Sequence, residues 1–126
     1  MKHSKYYYLR YLWVKTMRIG RWTGCHQMPE RSFFFRQYQF PVCARCCGVL
    51  VGETITLVLL CFRILLPIYV GLLLASIMLI DWGIQFLNIK ESNNYRRLVT
   101  GFLGGIGTWT VFFNIIYYLY KIIIQK

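Results

Sequence analysis

Hydrophobic and polar positions fall into two unlike parts. Before Gly48 the chain mixes aromatics with cations; after it, long apolar runs are broken by only two short polar stretches. Three runs are long enough to cross a bilayer as helices. The first covers 48–66, with Glu53 near its start and Arg63 near its end, where a long cationic side chain can reach the interface. The second covers 67–87 and opens on Pro67, which suits a helix's first turn because the missing N–H has no partner there anyway. The third covers 98–120 and ends in Tyr117, Tyr118 and Tyr120, an aromatic cluster of the kind found at membrane–water boundaries. The turn between the first two runs is short, which predicts an antiparallel hairpin. Gly48 and Gly52, and Gly101 and Gly105, are each four apart, so they predict faces where helix backbones approach closely.

The predicted fold is therefore an all-α membrane protein of one domain, 1–126. It has three transmembrane helices, an N-terminal interfacial segment and a Cys/His-rich cytoplasmic cap within 1–47. Composition agrees: 57% of the residues are hydrophobic and 15% charged. The cluster from Tyr6 to Trp13 is interrupted by Arg10 and followed by Lys15, Arg18 and Arg21, with no small-residue cleavage pattern. It reads as an interfacial helix or arm rather than a cleaved signal.

The formal net charge of +11 lies beside the apolar runs, so it points to anionic lipid headgroups and membrane orientation, not to nucleic acid. Nine of the fifteen Lys and Arg precede Gly48, and Lys90, Arg96 and Arg97 lie in the second loop on the same side. Only Arg63, Lys121 and Lys126 fall on the other side. The positive-inside rule then predicts a multi-pass cell-membrane protein with a cytoplasmic N-terminus and an external C-terminus. In the reducing cytosol, structural disulfides are not expected.

The cap holds the most specific chemistry. Cys25-His26 is followed by Cys43-Ala44-Arg45-Cys46-Cys47, so four of five cysteines lie within one short segment. Two residues between Cys43 and Cys46 let one turn aim both sulfurs at one ion. The simplest ligand set is Cys25, His26, Cys43 and Cys46 around zinc or another transition metal, with Cys47 or Glu53 able to replace one member. A thiol-redox reading competes, because a CxxC at a helix start favours the thiolate. No βαβ pattern accompanies it, and the charge bias puts it on the reducing side. Cys61, inside the first run, reads as a packing residue. The Phe- and Arg-rich stretch from Pro29 to Phe40 predicts a loop that dips into the interface and returns Cys25 or His26 to the turn of Cys43 and Cys46.

Two acids lie inside the spans, Glu53 and Asp81. A carboxylate there is costly and marks a functional site by default. Asp81, Gln85 and Asn88 share one helix face. The alternative is that Asp81 pairs with Arg96 or Arg97 and staples the loop. Paired arginines at a helix start can grip phosphate or carboxylate, or simply anchor the helix.

The string Cys25-His26-x-x-Pro29-x-Arg31-Ser32-Phe33, then Phe40-Pro41-Val42-Cys43-Ala44-Arg45-Cys46-x-Gly48, resembles the domain of unknown function 2085 family of small prokaryotic membrane proteins. Asp81-x-Gly83-x-Gln85, Glu91-Ser92-x-Asn94-x-x-Arg97-Leu98 and Thr100-Gly101 resemble its second signature. Trp82 and Cys47 depart from the pattern. The resemblance supplies no activity, but it implies that both signatures form one site. The reading that follows is a metal site beside a polar pocket of Arg31, Ser32, Arg45, Glu53, Gln85, Glu91, Asn94 and Arg97, with Asp81 as the candidate catalytic base. Two further readings are an enzyme acting on a phosphate-bearing lipid or polyprenyl headgroup, and a non-enzymatic metal-handling or accessory subunit of a transporter. The bilayer and its anionic headgroups are the expected partners, with a membrane-protein partner or a homo-oligomer also compatible.

Overall fold

A computed structural model describes residues 2–126, with side chains from residue 4. Four helices, α1 (Lys2–Trp22), α2 (Ala44–Cys61), α3 (Ile68–Phe86) and α4 (Asn94–Ile124), account for most of the chain. Between α1 and α2 lie one 3₁₀ turn, Pro29–Arg31, and a two-stranded hairpin, β1 (Phe34–Phe35) and β2 (Tyr38–Gln39). Helices α2, α3 and α4 are each long and apolar enough to cross a membrane. They end where local chemistry stops them. Arg63 and Asn88 adopt φ of 58° and 54°, and the residue after each returns an N–H to the helix, Ile64 to Leu59 O at 2.9 Å and Ile89 to Ile84 O at 3.2 Å. These left-handed caps satisfy carbonyls that the helix end leaves free. The first span is thus shifted from the predicted 48–66, and the third is longer than 98–120, because nothing breaks the helix before Ile124.

The predicted hairpin of adjacent spans is corrected by the packing. Helix α4 is the centre of the bundle and packs along both α2 and α3. The reason is the distribution of small residues. A methyl group added at Gly48 would strike the Leu98 carbonyl, and one at Gly52 the Phe102 carbonyl. Reciprocally, one at Gly101 would strike Arg45 O and one at Gly105 would strike Val49 O. On the opposite face of α4, Gly107 meets Gly71. Backbones this close gain van der Waals contact that larger residues forbid. In a bilayer, where apolar burial between helices gives little, such contact decides which helices pair.

Helix α1 stands apart and is pinned to the hairpin. Trp13 Nε1 donates to Gln39 O at 2.8 Å, and the Trp13 and Tyr38 rings lie 5.7 Å apart. Gln27 Nε2 donates to Met17 O and to Pro41 O, both at 2.6 Å. Its Tyr6, Tyr7, Tyr8 and Tyr11 are exposed. This ordered helix is what the cation-and-aromatic pattern predicts. The stretch expected to return as a loop does return, through a tight turn at Arg36 and Gln37, whose φ values are 46° and 71°. Positive φ at both central positions is the two-residue turn whose twist fits a hairpin.

Candidate metal centre and its basic cavity

The CxxC segment is built by the start of α2. Cys43 is the extended N-cap residue, Ala44 opens the helix, and Cys46 lies in its first turn. Helix geometry therefore turns both thiols toward the same point, and the dipole at this end favours negative sulfur. The hairpin carries the chain back so that Cys25 joins them. Ligand atoms of Cys25, Cys43 and Cys46 all lie within 4.8 Å of one another. Cys43 and Cys46 Sγ are 3.3 Å apart, and the Cys43 amide donates to Cys25 Sγ at 3.1 Å. The hydrogen bond from Cys46, opposed by burial and helped by its backbone and by Cys25, lowers the Cys43 thiol to about 5.

The fit to a metal can be judged by distance. Tetrahedral zinc with bonds of about 2.3 Å places sulfurs about 3.8 Å apart. The three sulfurs meet that with shifts of less than an ångström or so, within rotamer adjustment. An amide N–H on a thiolate is the kind of outer contact that orients metal ligands. Three protein sulfurs form a set that zinc accepts with a fourth position open.

The remaining expected ligands lie elsewhere. His26 is exposed and stands outside the three-sulfur group, although it lines the same cavity. Successive side chains in extended chain point apart, and Cys25 takes the inward place. Cys47 is half-buried with its sulfur 3.8 Å from Val42 O, away from the cluster. Cys61 ends α2 and is exposed, so it is no packing residue within this chain.

A cavity of about 290 Å³ opens beside the sulfurs, lined by Cys25, His26, Arg31, Cys43, Arg45, Cys46, Trp82, Gln85 and Arg97 among others. A second cavity of about 290 Å³ shares Arg31, Gln85 and Arg97 with it and adds Glu30, Asn88, Lys90, Glu91 and Ser92. The two sequence signatures thus meet at one end of the bundle.

Asp81 lines neither cavity. It is 3% exposed and faces two guanidinium groups. Arg45 Nη2 donates to its Oδ2 at 2.7 Å, and Thr100 Oγ1 donates to the same oxygen at 3.2 Å. Arg96 Nε lies 2.6 Å from Oδ1, an ion pair by distance whose N–H is not aligned on the oxygen. A carboxylate held between two guanidinium groups is poorly placed to accept a proton from a substrate. Its geometry is that of a clamp joining α2, α3 and α4, and it fixes Arg45, which also donates to Gln85 Oε1 at 3.2 Å. The sequence points to Arg96 or Arg97 as the partner and not to Arg45, although the place of Arg45 in the first turn of α2 is the available signal.

Of the remaining expected pocket residues, Ser32 is buried at the end of the 3₁₀ turn, where its hydroxyl donates to Met28 O at 2.9 Å and accepts from Gln39 Nε2 at 3.2 Å. Asn94 Nδ2 donates to Ser32 O at 3.4 Å and so ties the cap to α4. Glu53 lines neither cavity. Its position two turns further along α2 carries it away from the cap.

Comparison with known proteins covers both segments that meet here. The family model described as "Predicted membrane protein (DUF2085)" matches residues 25–111, from the first cysteine into the middle of α4. An uncharacterized protein of Methanocaldococcus jannaschii is 35% identical over 108 residues, covering 81% of this chain and 67% of its own. An uncharacterized protein of Methanothermobacter thermautotrophicus is 40% identical over 88 residues, covering 66% of this chain and 78% of its own. No solved structure matches.

Proposed function

The chain belongs to the DUF2085 family of predicted membrane proteins, and from that premise we propose that it is a multi-pass cell-membrane protein that holds zinc at Cys25, Cys43 and Cys46. The single observation that carries this reading is the convergence of three sulfurs, from two distant segments, within 4.8 Å at a cavity wall. Packing alone gives no reason for three thiols to meet edge to edge. The fourth position faces the basic cavity, where water or an exogenous donor completes the tetrahedron. The charge bias of the loops supports a cytosolic cap and an external C-terminus. Helix α1, with exposed tyrosines beside Lys5, Arg10 and Lys15, then lies against anionic headgroups.

The test is elemental analysis of the purified full-length chain after exposure to zinc and removal of the excess. One zinc per chain is expected, lost in Cys25→Ser, Cys43→Ser and Cys46→Ser and kept in Cys47→Ala. His26→Ala keeps the metal if the fourth position is open. Loss in His26→Ala as complete as in Cys43→Ser would make His26 the fourth ligand and close the site. Retention of zinc in all three serine variants would refute the assignment.

A further inference from the structure

Arg97 is the anomaly of this end of the bundle. It is 7% exposed, yet its guanidinium has no carboxylate. Its side-chain hydrogen bond is a long one, Nη1 to Asn94 Oδ1 at 3.4 Å, and its buried Nε has no partner. Among the described residues the ion pairs are those of Asp81 with Arg45 and Arg96, so neither Arg97 nor Arg31 forms one. Ser92, 7% exposed, likewise has a buried hydroxyl with no partner. An isolated buried cation is among the most costly arrangements in a protein. Here two buried unsatisfied groups, Arg97 and Ser92, border one cavity together with the exposed Arg31, and both arginines also border its neighbour on the sulfur side.

We propose that Arg31, Arg97 and Ser92 form a binding site for a phosphate group, seated where the two cavities meet. Guanidinium groups offer paired N–H donors that match the oxygens of a phosphate, and two of them balance a dianion. The hydroxyl adds a neutral donor. A single carboxylate would satisfy only one of the arginines. Each cavity, at about 290 Å³, far exceeds the roughly 15 Å³ that one water needs. Glu30 and Glu91 also line the Ser92 cavity, and both are exposed. Solvent screens them at the rim, and the exposed Lys90 in the same lining offsets one of the two charges. The site stands on Arg97 and Ser92 and does not depend on the metal.

The chemistry is that of free phosphate or of a phosphate-monoester lipid headgroup, and the experiment separates them. Full-length protein in detergent is titrated with inorganic phosphate. In a second arm it is placed on phosphatidylcholine vesicles with and without phosphatidic acid. Saturable binding of either probe supports the site. Response to inorganic phosphate marks a soluble ligand, and response to phosphatidic acid alone marks a headgroup. Arg31→Gln, at an exposed position that cannot unfold the bundle, should weaken binding on the order of tenfold, as should Arg97→Lys, which keeps the charge and loses the fork. Ser92→Ala should weaken it several-fold. The titration is run on metal-free protein, which keeps this result separate from the metal assay, and Cys61→Ser, at the far end of α2, should leave phosphate affinity within about twofold. Absence of saturable binding to both probes, or affinity unchanged in both Arg31→Gln and Arg97→Lys, would overturn the proposal.

Discussion

Replacing Asp81 with asparagine tests whether this carboxylate is a clamp. The change keeps the side chain's shape and removes the charge that faces Arg45 and Arg96. The Arg45 pair is the stronger of the two, with the side chains 18% and 3% exposed and an N–O distance of 2.7 Å. Breaking a pair so enclosed costs about 3–5 kcal/mol when one charge is left behind. The variant amide can still accept from Arg45 and from Thr100, which returns about 1 kcal/mol. Arg96 is 36% exposed at the side chain, so its pairing is screened and adds no more than about 1 kcal/mol. Asp81→Asn should therefore lower stability by about 3 kcal/mol, read as equilibrium unfolding in mixed micelles by tryptophan fluorescence. Arg45→Leu should cost about as much, and Arg96→Leu under about 1 kcal/mol. The Asp81→Asn/Arg45→Leu double variant should cost less than the sum by about 2 kcal/mol, because the second change removes the stranded charge. An Asp81→Asn protein within about 0.5 kcal/mol of wild type, or compensation by Arg97→Leu in place of Arg45→Leu, would refute the clamp.

Gly105→Val should cost about 2–3 kcal/mol or more in the same unfolding assay, because the new side chain meets the Val49 carbonyl of α2; a neutral result would mean that α2 and α4 are not in backbone contact. In metal-free protein, alkylation of Cys43 should rise with pH through a midpoint near 5 and then level off, since its lowered thiol is already thiolate above that value. Cys46→Ala removes the largest cause of that shift and should move the midpoint upward; an unmoved midpoint would contradict it. In intact cells a membrane-impermeant maleimide should leave Cys25 and Cys43 unlabelled until the membrane is opened and the metal chelated, while an Arg63→Cys reporter at the other end of the bundle labels directly. The reverse pattern would invert the orientation.

The parts of the molecule written as periodic or clustered signals were legible in the sequence. The three apolar runs became α2, α3 and α4, the glycine pairs became their contacts, and Cys25 joined Cys43 and Cys46. What escaped was set by partners rather than by local pattern. That α4 lies between α2 and α3 depends on which small-residue faces meet, and several faces were available. The turn at Arg36 and Gln37 carries none of the glycine or asparagine that usually marks positive φ, so the hairpin was hidden. His26 adjoins a true cluster member, and only the direction of the backbone decides that Cys25 turns inward. Asp81 showed its unusual burial in the sequence, but the identity of its partners required the three helix ends to be placed together. Arg97 is legible as a pocket residue able to grip phosphate or carboxylate, but its lack of a partner, and that of Ser92, shows only with the helix ends in place.

The central claim, three protein sulfurs on one metal with a fourth position open to the cavity, is met most directly by X-ray absorption at the zinc edge on the zinc-loaded protein. The account predicts three sulfur scatterers at about 2.3 Å and one nitrogen or oxygen at about 2.0–2.1 Å, without the outer-shell signature of an imidazole ring. A first shell of four sulfurs, or one of nitrogen and oxygen alone, would contradict it.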